Sequence, residues 1–185
     1  MRARGPGQSA LLLLDVATIL TDKKIDYAVI GAMAASVHGT IRATTDADAL
    51  IAVTKPKLGQ LENAFKKAGL QTELRSGDSD DPIPALLTVT DKHSNRVDLL
   101  AGLRGLDPDA FTRSIMVDFH RHRLRIIGRE DFIAMKCFAG SPKDIADARD
   151  ALKSPHEPID IDLLRRLTRR FGRPAADILE QILPA

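Results

Sequence analysis

The stretch HGTIRATTDADALIAV, residues His38–Val53, carries the pattern on which the expected fold depends. Asp46 and Asp48 stand one residue apart at the start of an apolar run that predicts a buried strand. Side chains alternate along a strand, so both carboxylates point to one face, while Ala47 and Ala49 point to the other. Like charges this close repel each other unless a cation lies between them. The pattern therefore predicts a site for a hard divalent cation such as Mg²⁺, which binds carboxylates together with substrate phosphates.

Two other parts of the chain supply groups that such a site requires. In NRVDLLAG, Asp98 lies inside an apolar strand, where an unpaired charge is costly to bury. If this strand lies beside that of Asp46, three carboxylates converge, as in a two-metal site. A salt bridge from Asp98 to Arg96 or Arg42 is the alternative explanation. Gly31 ends the strand in DYAVIG and opens a short helix, whose free N–H groups can bind phosphate.

Length and composition fit a globular core with a small helical addition. The chain has 185 residues and no Trp, which argues against a stacking platform for single-stranded nucleic acid. Its net charge of +2 gives no overall electrostatic attraction to nucleic acid or membrane. The single Cys137 excludes an internal disulfide and is typical of a reducing compartment, so we expect a cytoplasmic protein. Asp15 interrupts the first apolar run, which is too short to span a membrane. We expect no membrane association and an amphipathic first helix with Ser9 as its cap.

Hydrophobic periodicity predicts an α/β (α+β) architecture, with a mixed β-sheet flanked by helices. Strands alternate with helices through the first two-thirds of the chain, and the first strand is predicted at Tyr27–Ile30. A polar turn between Leu86–Thr90 and Arg96–Leu100 predicts a hairpin. The last third is helical in pattern. We therefore expect a sheet core over residues 1–128 and a C-terminal helical lobe over residues 129–185, packed on the core as one compact unit.

The segment GAMAASVHGTIRATTDADALI resembles the core motif of the polymerase-beta-type nucleotidyltransferases, in which a glycine loop and a short helix precede Asp-x-Asp. More narrowly, the chain resembles the bacterial AbiEii-like nucleotidyltransferases. Their second block, a helix with a lysine followed by "kD..D", is matched by EDFIAMKCFAGSPKDIADARDAL. The resemblance covers roughly residues 26–152 and implies a nucleotidyltransferase-type sheet. One departure is Gly31-Ala32, where the family usually has Gly-Gly or Gly-Ser, so a phosphate-binding serine hydroxyl is missing.

The resemblance also implies roles for individual residues. Two Mg²⁺ ions, for which Mn²⁺ can substitute, would act on an NTP substrate. Asp46 and Asp48 would bind both ions and the triphosphate, and Asp98 would bind the catalytic ion and help to deprotonate the acceptor. Lys136 would complete the catalytic set by contacting phosphate. The residues implied in binding the nucleotide are Gly31, Ala32, Arg42, Thr45, Asp144 and Asp147.

Several of these residues have an ordinary structural explanation as well. Asp144 follows Ser141 by three residues, as in a capping box. Lys136 lies in an apolar helix, where a lysine either extends along the surface or reaches into a cleft. A basic helix face near the C-terminus either binds an RNA backbone or pairs with acidic side chains. Its arginines are Arg165, Arg166, Arg169 and Arg170.

The leading functional hypothesis is a metal-dependent nucleotidyltransferase that moves an NMP from an NTP to a hydroxyl of a tRNA, a protein or a small molecule. Resemblance to the AbiEii-like group suggests a toxin–antitoxin or phage-defence component, with an antitoxin or other cognate protein as partner. The alternative is a catalytically degenerate module of the same fold that binds a nucleotide or a protein, which the Gly31-Ala32 departure favours.

Overall fold

The computed structural model describes residues 2–39, 44–155 and 158–184, with the side chain of Lys55 excepted. The chain divides into two compact units. The described part of the first unit comprises residues 2–33, 44–104 and 116–126, and that of the second comprises residues 34–39, 105–115, 127–155 and 158–184.

The sheet and two helices that pack against it belong to the first unit. Within the described residues the sheet has seven strands, in the spatial order β3-β4-β5-β2-β1-β7-β6. The helices are α1 (Ser9–Asp22) and α3 (Lys55–Lys67), and α2 (Gly31–His38) begins directly after the first strand. The strands are β1 (Tyr27–Ile30), β2 (Asp46–Ile51), β3 (Gln71–Ser76), β4 (Ala85–Thr90), β5 (Arg96–Leu100), β6 (Ile115–Phe119) and β7 (His122–Ile126).

The sheet is mixed. β2 pairs with β1 in antiparallel and with β5 in parallel orientation, while β4 is antiparallel to both β3 and β5. β1 and β7 are parallel. All four residues of β1 are buried, as expected of a central strand without a solvent face. The predicted mixed α/β class, the strand at Tyr27–Ile30 and the β4–β5 hairpin are confirmed.

Alternation along β2 and β5 separates an apolar face from a polar one. Ala47 and Ala49 of β2 are buried, as are Val97 and Leu99 of β5. α1 and α3 pack against the sheet and against each other, and thus cover a single face. α3 contributes Leu58, Leu61 and Phe65, which recur at helical spacing and are all buried. The charged side chains of β2 and β5 are therefore left on the face opposite these helices.

The second unit is built largely from helices. α4 (Arg129–Ala139) packs against the other three, α5 (Pro142–Lys153), α6 (Ile161–Arg170) and α7 (Arg173–Ile182). The 3₁₀ turn Pro108–Phe111 also belongs to it. This unit takes in residues 105–115 as well as the C-terminal helices, and we retain the division into residues 1–128 and 129–185 as a proposal. None of the helices in the described ranges is long and apolar enough to cross a membrane.

Helix caps give one confirmed and one wrong prediction. The Ser141 side chain accepts a hydrogen bond from the Asp144 N–H at the start of α5, as expected of an N-cap. Ser9, by contrast, is not a cap, because Gln8 holds that position. The Ser9 hydroxyl instead donates a hydrogen bond of 2.6 Å to the carbonyl of Thr45. A contact to the segment before β2 has thus replaced the local one.

Substitution of Phe65 tests how far the first unit depends on the α3 contact. Phe65 is fully buried, and removing a buried Phe side chain leaves a cavity, so Phe65→Ala should lower the free energy of unfolding by about 3–5 kcal/mol. Lys67→Ala, on the exposed side of the same helix, should change it by less than about 0.5 kcal/mol. Urea unfolding of both variants measures the difference. Equal, small effects would contradict this packing.

Candidate active site

The register of β2 and β5 brings three carboxylates to one face of the sheet. Asp48 lies directly opposite Asp98, and Asp46 lies opposite Arg96. Neighbouring strands are about 4.8 Å apart, and residues paired in register point to the same side. Asp46, Asp48 and Asp98, the residues that the sequence predicts as metal ligands, are therefore neighbours in the first unit.

Asp98 is held by two partners from its own and the adjacent strand. Arg96 donates from Nε and Nη2 to the two oxygens of Asp98, at 2.9 and 2.7 Å, and Thr88 donates its hydroxyl to Oδ1 at 2.8 Å. The Asp98 side chain is 15% exposed. The salt bridge to Arg96, which the sequence left open as an alternative, is thus formed.

Arg96 lies in the field of all three carboxylates. Its pKa is raised, first by its hydrogen bonds to Asp98 and by the charge of that group, and then also by the charges of Asp46 and Asp48, while partial burial opposes the shift. The guanidinium therefore neutralises part of the repulsion that the three acids would otherwise exert on one another.

Gly31 provides the space into which the Asp48 side chain fits. It is the first residue of α2 and has a φ of +63°, a conformation that L side chains rarely adopt. A Cβ at this position would overlap Asp48 Oδ2 and lie 3.1 Å from Asp48 Cγ. The glycine after β1, predicted to let phosphate approach the backbone, therefore also lets a carboxylate of the cluster approach it.

The other predicted nucleotide-binding residues of this region are placed as follows. Ala32 is buried in the first turn of α2. Thr45 is exposed and accepts the Ser9 hydroxyl through its carbonyl. The Thr44 hydroxyl bonds both the N–H and the carbonyl of Asp46, and so fixes the start of β2. Arg42 lies outside the described residues.

The donor chemistry of the cluster fits a hard cation. Carboxylate oxygens are the ligands that Mg²⁺ prefers, and three carboxylate groups share this face. Within the described ranges, however, no group of three or more His, Cys, Asp or Glu side chains is already arranged to hold a metal ion. Both oxygens of Asp98 are engaged by Arg96. The residue types therefore suit Mg²⁺, and an ion that bound through Asp98 would compete with Arg96 for this carboxylate.

A second ion cluster, in the second unit, unites the predicted residues of α4 and α5. Lys136 Nζ lies 2.7 Å from Asp144 Oδ1 and 2.8 Å from Asp147 Oδ2, and 5.6 Å from the centre of the Phe132 ring. The side chains of Lys136 and Asp147 are 12% and 3% exposed. Asp144 also bonds Ser141 at the helix cap. The structure thus brings Lys136, Asp144 and Asp147 together and joins α4 to α5 through them.

The pKa of Asp144 is held below its usual value. Burial acts to raise it, but the hydrogen bonds and charge of Lys136 and the bonds to Ser141 together outweigh burial. The carboxylate is therefore ionised through the neutral range and remains paired with the ammonium group.

Sequence reasoning missed several polar and charged residues of both units. One row of residues runs across four neighbouring strands. Glu73 of β3 lies opposite Thr88 of β4, and Thr88 lies opposite Asp98 of β5. Asp98 in turn lies opposite Asp48 of β2. The signal available in the sequence was a threonine within the otherwise apolar run of β4, the strand that forms a hairpin with the strand of Asp98.

In the second unit, Arg113 bridges Asp131, at 2.7 Å, and Asp107, at 3.1 Å. These hydrogen bonds, led by those to Asp131, raise the pKa of Arg113 despite its partial burial. No helical or strand spacing in the sequence indicates this bridge, because Asp107 and Asp131 lie 6 and 18 residues from Arg113 and share no helix or strand with it.

The basic face of α6 is largely occupied by acidic partners. Arg165 forms a bidentate pair with Glu180, at 2.8 and 2.9 Å. Arg166 and Arg170 each lie 3.6 Å from Asp107 Oδ2. Of the two explanations left open for this face, pairing with acids accounts for three of its four arginines.

Comparison with solved structures places this fold among nucleotidyltransferases. The antibiotic-resistance factor ANT(2'')-Ia matches with a TM-score of 0.62 and 13% identity, over 94% of this chain and 96% of that one. An antigenic nucleotidyltransferase-like protein from Paracoccidioides brasiliensis matches with a TM-score of 0.52 and 16% identity, over 94% and 85%. The lincosamide antibiotic adenylyltransferase LnuA matches with a TM-score of 0.50 and 12% identity, over 80% and 98%.

No protein-family model and no curated protein matches the chain. At identities this low, a structural match shows a shared fold and not a shared activity. The chain therefore shares the fold of these nucleotidyltransferase structures, as its motif predicts.

Gly31→Ala tests the contact between the glycine and Asp48. We expect a loss of about 1–2 kcal/mol of stability from the left-handed backbone alone, with the displacement of Asp48 in addition. Gly59→Ala is the matched control, because Gly59 lies within α3 and a Cβ there meets nothing within 4 Å. That change should stabilise the protein by about 0.5–1 kcal/mol. Thermal unfolding distinguishes the two, and stabilisation by both variants would refute the contact.

Lys136→Met tests the second ion cluster through its pH dependence. The depressed pKa of Asp144 contributes stability that is present above the ordinary Asp value of about 3.9 and is lost as the pH falls through the lower, folded-state pKa. Without the ammonium group this pKa should rise, so the loss should begin at a higher pH. Carboxyl-carbon NMR titration measures the shift. Lys143→Met, at an exposed position of α5, should leave it unchanged, and an unshifted Asp144 in Lys136→Met would contradict the pairing.

Proposed function

We propose that this protein is a metal-dependent nucleotidyltransferase, which transfers an NMP from an NTP to a hydroxyl acceptor. The observation that carries the proposal is the set of three carboxylates from β2 and β5 on one sheet face, beside the Gly31 start of α2. The fold shared with nucleotidyltransferases supports it. Three acids on one face are costly for a protein to maintain unless a bound cation uses them.

In this proposal the acids of the first unit bind the metal. Asp46, Asp48 and Asp98 would hold two Mg²⁺ ions, with Mn²⁺ as a substitute, and bound ions would neutralise the triphosphate and polarise its oxygens. The backbone N–H groups of Gly31 and Ala32 open α2 and would bind phosphate without the missing serine hydroxyl. Thr45 and Arg42 are the other residues that we propose for nucleotide binding.

The transfer itself requires little covalent chemistry from the chain. The acceptor oxygen bonds to the α-phosphorus of the NTP, and the bond to the bridging oxygen breaks, so that pyrophosphate leaves. The proton of the acceptor hydroxyl passes to an oxygen of Asp98. For the second unit we propose that Lys136, with Asp144 and Asp147, contacts phosphate, a role that its compact positive charge suits.

Hydroxylated small molecules are the first acceptors to test. Two structures with this fold concern such compounds: one is ANT(2'')-Ia in complex with adenylyl-2''-tobramycin, and the other is LnuA bound to lincomycin. A tRNA or a protein hydroxyl remains within the proposal. So do a cytoplasmic location, membership of the AbiEii-like group, and a toxin–antitoxin or phage-defence role with a cognate partner protein.

The second candidate function is a degenerate module that binds a nucleotide or a protein without catalysis. Two observations favour it: the Gly31-Ala32 pair lacks the serine, and Arg96 already neutralises Asp98. The three retained carboxylates on one face argue for the enzyme.

Calorimetric titration of each NTP with Mg²⁺ tests the proposal. The wild-type protein should bind at least one NTP saturably and only with the metal present. Asp48→Asn should weaken binding by about tenfold or more, since a charged ligand of the complex is lost, corresponding to at least about 1.4 kcal/mol. Asp80→Asn, in an exposed loop, is the matched control and should bind as the wild type does.

The outcome decides between the two candidates. Metal-dependent binding followed by label transfer from the α-³²P-labelled NTP to an acceptor establishes the enzyme. Metal-dependent binding with no transfer to small molecules, tRNA or protein favours the degenerate module. A folded protein that binds no NTP at all would refute the nucleotidyltransferase proposal.

A further inference from the structure

The carboxylate cluster already contains a cation of the protein's own. Arg96 presents two N–H groups to the two oxygens of Asp98, at 2.9 and 2.7 Å, in the bidentate geometry that guanidinium and carboxylate groups prefer. It is also the cross-strand partner of Asp46. A positive charge that stabilises Asp98 in the absence of a metal is thus supplied from within β5.

Arg96 holds the acid that would complete a three-carboxylate site, because both oxygens of Asp98 accept from its guanidinium group. A divalent ion and the guanidinium therefore compete for the same two oxygens of Asp98.

We propose that Arg96 is an internal counter-ion that closes the site and must release Asp98 before a divalent cation binds to all three carboxylates. This inference rests on the proposed function. Arg96 acts as a positioning residue, since it sets which partner Asp98 has. Its side chain is 43% exposed, whereas that of Asp98 is 15% exposed, so the arginine is the partner with open space into which to move.

A metal–nucleotide complex suits this exchange better than a metal ion alone. The cation replaces Arg96 at Asp98, while a phosphate group offers the released guanidinium another bidentate acceptor. Each charged group then leaves one partner for another, and none is left unpaired. It follows that Mg²⁺ alone binds weakly to the wild-type protein and that Mg²⁺ and NTP strengthen each other's binding.

Titration of Mg²⁺ without nucleotide tests the competition. Arg96→Met removes the competing charge and should tighten Mg²⁺ binding by about tenfold or more, because a charge-assisted pair contributes on the order of 1.5–3 kcal/mol. The strengthening of Mg²⁺ binding by NTP should be reduced in the same variant. Arg123→Met is the matched control: Arg123 is an exposed arginine of β7 and lies 3.9 Å from Asp118, outside the cluster. It should leave both quantities unchanged.

Two further measurements keep the test decisive if Arg96→Met does not fold. Arg96→Lys retains the positive charge but not the bidentate guanidinium group, and should tighten Mg²⁺ binding less than Arg96→Met does. In the wild-type protein, the Nε–H signal of Arg96 can be assigned in the NMR spectrum through its absence from Arg96→Lys. It should shift and exchange faster with water when Mg²⁺ and NTP are added together.

The results separate this inference from the proposed function. Tighter Mg²⁺ binding in the Arg96 variants supports it. Equal Mg²⁺ affinity in the wild type, Arg96→Met and Arg96→Lys overturns it while leaving the nucleotidyltransferase proposal in place. An absence of any Mg²⁺ or Mn²⁺ binding, with or without NTP, in all of these folded proteins overturns both.

Discussion

The register between β2 and β5 is the constraint on which the rest of the site depends. It pairs Asp48 with Asp98 and Ala49 with Leu99, so a single alternation places the acids on one face and the apolar residues on the other. A slip of one residue would turn Asp98 toward the face that α1 and α3 cover. Burial of the apolar face therefore fixes the position of the carboxylates. The same packing that stabilises the fold also assembles the site.

This arrangement concentrates negative charge, and the fold offsets it locally. Thr88 and Arg96 both donate to Asp98 from β4 and β5, and the Asp48 carboxylate packs against Gly31, where no side chain intervenes. Hydrogen-bonded partners reduce the cost of holding a charged group partly out of water. These contacts therefore stabilise the carboxylates in the absence of a ligand.

Local patterns explain which features could be predicted from the sequence. The period of two predicts that Asp46 and Asp48 share a face, and the Ser141 cap follows from its position before Pro142. Side-chain partners chosen across elements could not be predicted in this way. Ser9 bonds the carbonyl of Thr45 instead of its own helix, and Lys136 meets Asp144 and Asp147 only once α4 and α5 pack. For Asp98 the sequence predicted Arg96 as one of two candidate partners, because residues two apart on a strand share a face. The spacing does not determine the side-chain rotamers, so it could not decide whether the pair forms.

Both units hold a cation between acids, and the two clusters differ in how readily they can open. Lys136 is 12% exposed and lies between two carboxylates, one of which, Asp147, is 3% exposed. Removing one partner from a buried ion pair costs about 3–5 kcal/mol, whereas an exposed pair contributes at most about 1 kcal/mol. Arg96, at 43% exposure, lies nearer the second case. To bind Lys136, a phosphate would have to replace two carboxylate partners. To bind Arg96, it would have to replace Asp98 alone, the acid that the proposed metal would then bind. Of the two cations, Arg96 is therefore the one whose hydrogen-bonded partner the proposed metal–nucleotide complex could replace.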